Sequence, residues 1–226
     1  MIVIGSVITL AIFLFVGWAV SSEMFQHRAW RRRVESGDVD IVAALVLESL
    51  ATWQRARPPK GTPANLWAGI QGAQLVTVET DGATLSTSAD GEFRSESGLR
   101  VQTSSALDEA IALAARLCDM MLYDVPNLRL HYVRVDVYAT FSSVDGAPSQ
   151  QPILTTIAER TVADSLTWEA FTAAELLGRF ETNYNRAANG QPLPIELPPL
   201  EGVLPRATEE AAAEFAASQA QPRGAD

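Results

Sequence analysis

Residues 128–141, LRLHYVRVDVYATF, form the stretch around which the rest of the fold is expected to assemble. Successive side chains of a β-strand point to opposite faces of a sheet, so every second residue shares a face. One face is apolar and carries Val133, Val135, Val137, Ala139 and Phe141. The other carries Tyr132, Arg134, Asp136 and Tyr138. We expect the valine face to be buried in the core and the Arg134/Asp136 row to form a solvated charge ladder.

The segment before this strand has the periodicity of a helix that would cover the valine face. Its apolar residues recur at i+3 and i+4 steps, at Leu107, Ile111, Ala114, Cys118 and Met121. Ser104 or Ser105 is a suitable N-cap, and acidic residues occupy the first turn, where the helix dipole favours them. Cys118 lies inside the apolar stripe and is followed by an aspartate, which indicates a core thiol and not a nucleophile.

Short strands are expected before this helix. The pieces QLVTV, ATLSTS, EFRSE and LRVQT are strand-like, and Asp81-Gly82 and Asp90-Gly91 between them are typical of type I′ hairpin turns. The pattern predicts an antiparallel meander.

A further hairpin is expected after the central strand. Asp145-Gly146 is another turn signal, and the strand-like piece PILTTIAERTVA follows it. In that hairpin Glu159 and Arg160 would pair with the charged row of the central strand.

Two more helices complete the expected domain. The first covers about residues 38–55, and its apolar stripe favours a core position over contact with a partner. The last covers about residues 167–181, where Thr172 and Glu175 have the spacing of a capping box.

These elements predict a single α+β domain at residues 38–185, with a mostly antiparallel sheet packed by about three helices. The order of elements resembles that of small signalling and assembly modules of the roadblock and longin kind, which combine helices with a strand meander and later strands. That resemblance implies protein binding in preference to catalysis.

The N-terminal stretch MIVIGSVITLAIFLFVGWAVSS is uncharged and long enough, at about 1.5 Å per residue, to cross a bilayer core of about 30 Å. We expect a transmembrane anchor at residues 1–24, with Ile2, Trp18 and Val20 in the span and Trp30 near the headgroups. Gly17 and Ser21 have the small-xxx-small spacing that permits helix pairing.

The flanks of this anchor predict its orientation. Basic residues follow the apolar run in a neck at residues 25–37, at Arg28, Arg31, Arg32 and Arg33, and none precedes it. The positive flank is normally cytoplasmic, and a cleaved signal peptide would carry its charges before the apolar run. The expectation is a single-pass protein of the inner (plasma) membrane, with the N-terminus outside and the domain in the cytoplasm.

Charge and cysteine content exclude several classes of partner. From Val34 onward the chain has 13 basic and 26 acidic residues, so nucleic acid would repel it and lipid is expected to contact the N-terminal helix only. One cysteine, Cys118, cannot form an internal disulfide.

No catalytic motif is present. The chain lacks GxGxxG, P-loop, HExxH, GxSxG and paired-cysteine patterns, so no cofactor is expected. Asp81, Asp90 and Glu92 would be the oxygen ligands of a nuclease-like metal site. Against this, both aspartates precede a glycine in a turn, where Asp is favoured for backbone reasons, and no lysine lies nearby.

Residues 186–226 are rich in proline and then in alanine and glutamate, a composition typical of a flexible tail. Within it the piece PLPIELPPL is unusually apolar, which makes Ile195, Leu197 and Leu200 candidates for docking onto a partner.

The sequence therefore predicts a membrane-anchored accessory, scaffold or assembly subunit whose domain binds a protein partner or a larger membrane complex. Pairing of two copies is a further expectation. The alternative is a membrane-tethered enzyme, for example a metal-dependent hydrolase, whose site the sequence does not locate.

Overall fold

The computed structural model describes residues 39–96, 99–142 and 148–203. The expected anchor at residues 1–24, the neck at 25–37 and the end of the chain at 204–226 lie outside the described residues. Within the described part, no helix combines the length and the apolar character needed to cross a bilayer.

Five α-helices and eight β-strands make up the described chain. The helices are α1 (Val39–Arg55), α2 (Ala64–Gln71), α3 (Ala106–Asp119), α4 (Arg160–Ala163) and α5 (Ala173–Leu177). The strands are β1 (Gln74–Val78), β2 (Gly82–Ser88), β3 (Glu92–Glu96), β4 (Leu99–Ser104), β5 (Tyr132–Ser142), β6 (Pro148–Glu159), β7 (Glu181–Arg186) and β8 (Pro192–Leu193). A π-helical turn at Met120–Asp124 extends α3, and a 3-10 turn at Trp168–Ala170 precedes α5.

Six strands form the main sheet in the order β1-β2-β5-β6-β7-β8, and β3 and β4 form a separate two-stranded ribbon. All neighbours are antiparallel except β2 and β5, which run parallel. The α+β class with a mostly antiparallel sheet is therefore confirmed, with five helices where about three were expected.

The prediction of one continuous meander is wrong after β2. Strand β2 pairs in parallel with β5, from Gly82 opposite Tyr132 to Ser88 opposite Tyr138, and the chain between them makes a crossover through α3. This pairing places Leu85 beside Val135, and both side chains are fully buried. With β1 on one side and β5 on the other, β2 has no free edge, and β3 and β4 pair with each other in the separate ribbon. The chain between β2 and β5 makes the long crossover that parallel neighbours need.

The valine face and the helical stripe form the core, as predicted. The three valines of β5 have 0% exposure, and the α3 residues Leu107 and Leu117 are equally inaccessible. Ser105 is the N-cap of α3, and its side chain accepts a hydrogen bond from the backbone N–H of Asp108. The long-range packing of α3 on β5 and β6 therefore follows the periodicity visible in the sequence.

Helices α1 and α2 extend the same layer. The α1 residues Val42 and Val46 are fully buried, which confirms its core role. Helix α2 was not anticipated because its eight residues are too few to show a clear period. It packs closely on α3, since a Cβ added at Gly69 would collide with a methyl carbon of Leu113.

The expected last helix is shorter than predicted. Thr172 and Glu175 form the capping box of α5, but the helix ends at Leu177. The hydroxyl of Thr182 then donates to the carbonyl of Leu177 and lies 2.7 Å from the Thr156 hydroxyl of β6. These contacts direct the next residues into β7 instead of a longer helix.

Candidate functional site

The face of the main sheet that points away from the valine side chains has a buried ion pair at its centre. Arg134 Nε lies 3.0 Å from Asp136 Oδ1, and the two side chains are 6% and 2% exposed. The hydroxyl of Thr155, opposite Asp136 on β6, donates to the same carboxylate oxygen at 2.6 Å. The prediction of a solvated charge ladder is wrong, because neighbouring strands and a later segment enclose both groups.

That later segment is residues 194–203, here called the strap. The backbone N–H of Ile195 donates to the carbonyl of Pro152 on β6 at 2.9 Å. Arg134 on β5 donates through Nη1 to the Pro199 carbonyl and through Nη2 to the Pro198 carbonyl, each at 3.0 Å. The strap therefore starts at β6 and passes over the centre of the polar face.

The far end of the strap is attached to the outer edge of the sheet. Val203 and Val78 of β1 exchange two backbone hydrogen bonds, at 2.9 and 3.0 Å, in an antiparallel bridge. The preceding Gly202 has φ +91°, and a Cβ there would lie 2.6 Å from the Val78 carbonyl oxygen. Glycine is therefore required where the strap meets β1.

The structure thus differs from the expected flexible tail over residues 186–203. Proline has no N–H, so a proline-rich segment cannot join a sheet through a regular ladder. Its carbonyl oxygens still accept hydrogen bonds, and the Arg134 fork supplies two donors in the right arrangement. Ile195 adds a side chain that is 8% exposed against the sheet.

The three predicted docking residues have different environments on this segment. Ile195 is buried against the chain's own sheet, Leu197 is half-buried, and Leu200 is 53% exposed. Two more large apolar side chains, Leu193 of β8 and Val203, are 45% and 60% exposed. Sequence reasoning missed these two, although both lie in the same proline-rich stretch as the predicted three.

Arg160 also has a different role from the one predicted. Its guanidinium group is buried and donates to the carbonyls of Leu130, at 2.6 Å, and Leu122. It also lies 5.2 Å from the centre of the Tyr123 ring. Pairing of Arg160 with the charged row of β5 is therefore wrong, because the guanidinium group caps two carbonyls that precede β5. Glu159 lies opposite Tyr132.

The carboxylates proposed for a metal site are not brought together. Asp81 lies beside His131, with 3.5 Å between Oδ2 and Nδ1, and its backbone carbonyl accepts from the His131 N–H. Asp90 lies in the connection between β2 and β3, and Glu92 is the first residue of β3. Across residues 39–96, 99–142 and 148–203, no three His, Cys, Asp or Glu side chains form a group suited to a metal ion.

A depression of about 440 Å³ lies beside His131, at the end of the polar face, between Tyr132, Ile157 and Glu159. Burial and a hydrogen bond to Glu79 raise the pKa of the Tyr132 hydroxyl, so this group supplies no anion at the depression even at moderately alkaline pH. The depression is wide and shallow, and its charged groups are the solvated side chains at its rim.

Cys118 is the buried thiol that the sequence predicted. It is fully inaccessible, and burial, with the nearby Asp119 charge, raises its pKa from 9.0 to about 12. A neutral, enclosed thiol is a poor nucleophile.

The predicted membrane and topology residues lie outside the described residues. They are Ile2, Gly17, Trp18, Val20, Ser21, Arg28, Trp30, Arg31, Arg32 and Arg33.

No protein-family model, curated protein or solved structure matches this chain.

Proposed function

We propose that this chain is a single-pass, membrane-anchored accessory, scaffold or assembly subunit whose α+β domain binds a protein partner or a larger membrane complex. The observation that carries the proposal is the outer surface of the strap and β8. Leu193, Leu200 and Val203 leave 45 to 60% of their surface exposed on a segment whose backbone is attached to three strands. These three residues are spread along the segment that runs from β8, at one edge of the sheet, to the bridge with β1 at the other edge, and together we call them the apolar strap surface.

Attachment of the backbone favours binding by such a surface. A free proline-rich tail loses conformational entropy when it binds a partner, whereas the strap is already ordered by its hydrogen bonds to Pro152, Arg134 and Val78. Extended proline-rich segments are a recurrent recognition element. On the strap the Pro198 and Pro199 carbonyls are bound by Arg134, so the exposed apolar side chains are the groups that a partner would contact.

The acidic charge around this surface indicates that the partner's binding surface is basic. Glu196 and Glu201 are exposed on the strap, and the chain from Val34 onward has an excess of 13 acidic residues. Such a surface repels other acidic groups, including the anionic cytoplasmic leaflet. The partner we propose has apolar pockets bordered by Lys or Arg side chains, a complementarity that steers association.

A differential co-purification experiment tests this proposal. The full chain is extracted in mild detergent, and the proteins that co-purify with the wild type are compared with those of Leu200→Ser and Val203→Ser variants. Tyr184→Ser is the matched control, since Tyr184 of β7 is 41% exposed but lies outside the apolar strap surface. We expect a stoichiometric partner with the wild type and the control, and its loss with the two strap variants. Recovery of the wild type only as an isolated monomer would contradict the proposal.

A further inference from the structure

We propose that a pocket between α1 and the segment that follows α3 binds a guanidinium group carried on an alkyl chain. The pocket has a volume of about 240 Å³. None of its lining residues belongs to the strap or to β8. This inference therefore does not rest on the proposed binding of a partner by the apolar strap surface.

One face of α1 forms the first wall of this pocket. Residues at steps of three, four, seven and eight positions lie on the same side of a helix. The residues of α1 that line the pocket follow this spacing and are Leu45, Glu48, Ser49, Thr52 and Trp53. The wall therefore combines a buried leucine, a half-buried indole ring and three side chains that carry oxygen.

The two hydroxyl groups of this wall can only accept hydrogen bonds from a ligand. The Ser49 hydroxyl donates to the Leu45 carbonyl at 2.9 Å. The Thr52 hydroxyl donates to the Glu48 carbonyl, also at 2.9 Å. A hydroxyl has one proton, so these bonds leave only oxygen lone pairs for the pocket. Ser49 is 6% exposed, and within residues 39–96, 99–142 and 148–203 its oxygen accepts from no donor, so a donor-bearing ligand would satisfy it.

The opposite wall adds a second carboxylate. The π-helical turn ends at Asp124, which lines the pocket together with Asn127. Arg116 Nη2 lies 3.7 Å from Asp124 Oδ2, which is longer than a hydrogen bond, and Nη1 of the same residue is bound to Asp119. Among the described residues, no basic side chain lines the pocket. Glu48 and Asp124 therefore bring two carboxylates from separate elements to a pocket without a cation of its own.

These walls favour a flat cation that is rich in hydrogen-bond donors. A guanidinium group has five N–H donors and no acceptor, pairs with carboxylates through its planar fork and stacks on aromatic rings such as Trp53. An ammonium group supplies the charge but not the plane. At about 30 Å³ for each water molecule, the pocket holds about eight, which is enough for a guanidinium group and several carbons of its chain. Such a group is carried by an arginine side chain or by a small free compound.

A titration of the full chain in mild detergent tests the site. The probes are butylguanidinium, butylammonium and the neutral butylurea, which has a similar planar shape without the charge. Nuclear magnetic resonance of isotope-labelled tryptophan reports binding at the Trp53 indole N–H, whose signal is identified by its absence in Trp53→Phe. Glu48→Gln and Asp124→Asn each remove one carboxylate, and both side chains are exposed, so the fold is expected to persist. Glu181→Gln is the matched control, since Glu181 is an exposed carboxylate of β7 outside the pocket.

We expect butylguanidinium to bind with a Kd at least about tenfold lower than that of butylurea and at least about threefold lower than that of butylammonium. Each carboxylate substitution should raise the butylguanidinium Kd at least about fivefold, and Glu181→Gln should leave it unchanged. Equal affinity for butylguanidinium and butylurea would overturn the proposal, as would binding that neither carboxylate substitution weakens.

A further arm of the titration distinguishes the two sources of the guanidinium group. It uses a capped tripeptide with arginine between two alanines. A lower Kd for the peptide than for butylguanidinium supports the site and assigns it to an arginine of a protein partner. A higher Kd for the peptide, with butylguanidinium still preferred over butylurea, supports the site and assigns it to a small free compound.

Discussion

Arg134 and Asp136, two positions apart on β5, form an ion pair with 3.0 Å between Nε and Oδ1, and both side chains are almost fully buried. Every second residue of a strand shares a face, so the two groups point to the same side of the sheet. The pair leaves the two terminal guanidinium nitrogens of Arg134 directed at the strap. One buried pair thus connects the centre of the sheet to a segment more than 60 residues later in the chain.

The ion pair predicts a strong dependence of stability on both partners. Asp136→Asn leaves the buried Arg134 charge unpaired, and we expect the free energy of unfolding to fall by about 3 to 5 kcal/mol. Adding Arg134→Met should recover at least about 1 kcal/mol of that loss, because the charge is then absent. Denaturant unfolding of the purified protein measures both. Arg129→Gln is the control, since Arg129 is 77% exposed in its pair with Asp164, and it should change stability by less than about 1 kcal/mol.

A substitution at Gly202 is expected to loosen the strap locally, where it meets β1. A Gly202→Ala variant places a methyl group 2.6 Å from the Val78 carbonyl oxygen and strains the backbone at φ +91°. We expect faster hydrogen exchange at the Val78 and Val203 amides, with little change in the amides of α3. Gly190→Ala is a matched control, because Gly190 has φ +83° but nothing lies within 4 Å of its added Cβ. Equal effects of the two variants would show that the contact with Val78 is unimportant.

We expect Cys118 to react slowly with thiol reagents in the folded protein. Its pKa is raised to about 12 and its side chain is inaccessible, so a thiol reagent at pH 8 should label it at least about 100-fold more slowly than in denaturant. A Ser88→Cys variant provides an exposed thiol for comparison, since Ser88 lies at the exposed end of β2. Rapid labelling of native Cys118 would contradict the buried position.

The raised pKa of the Cys118 thiol predicts how stability changes at alkaline pH. In the unfolded chain it loses its proton near pH 9.0, whereas in the folded chain it keeps the proton up to about pH 12. The folded state therefore binds more protons between these values, and the contribution of this group to stability falls as the pH rises through that window. Comparing Cys118→Ala with the wild type across this range isolates the contribution.

The arginine flank predicts the orientation of the anchor. A reporter that is active only outside the cytoplasm is expected to stay silent when fused after residue 60, because a positive flank normally lies on the cytoplasmic side and Arg28, Arg31, Arg32 and Arg33 follow the apolar run. Moving these four arginines to the start of the chain should activate the reporter. Activity of the reporter in the unaltered fusion would show that the orientation is reversed.

Most of the core could be predicted from the sequence. The valine face of β5, the apolar stripe of α3, the Ser105 N-cap and the Thr172 capping box are all visible as local patterns and are all present in the structure. Local patterns are reliable here because burial of one face of an element repeats at the period of that element. The docking role of Ile195, Leu197 and Leu200 stays a prediction: Leu200 is exposed, whereas Ile195 is buried against its own domain, which the sequence pattern did not indicate.

The sequence by itself determined which residues form α3 and β5, which of their faces are apolar and where the acidic charge lies. Only the tertiary structure decided that β2 pairs in parallel with β5, that Arg134 and Asp136 are buried, and that the proline-rich segment lies on the sheet. The physical reason is that these features depend on partners far apart in the chain. From the sequence alone, a charged side chain on a strand is predicted to be solvated. In the folded protein, Pro198 and Pro199 lie over Arg134 and accept its hydrogen bonds.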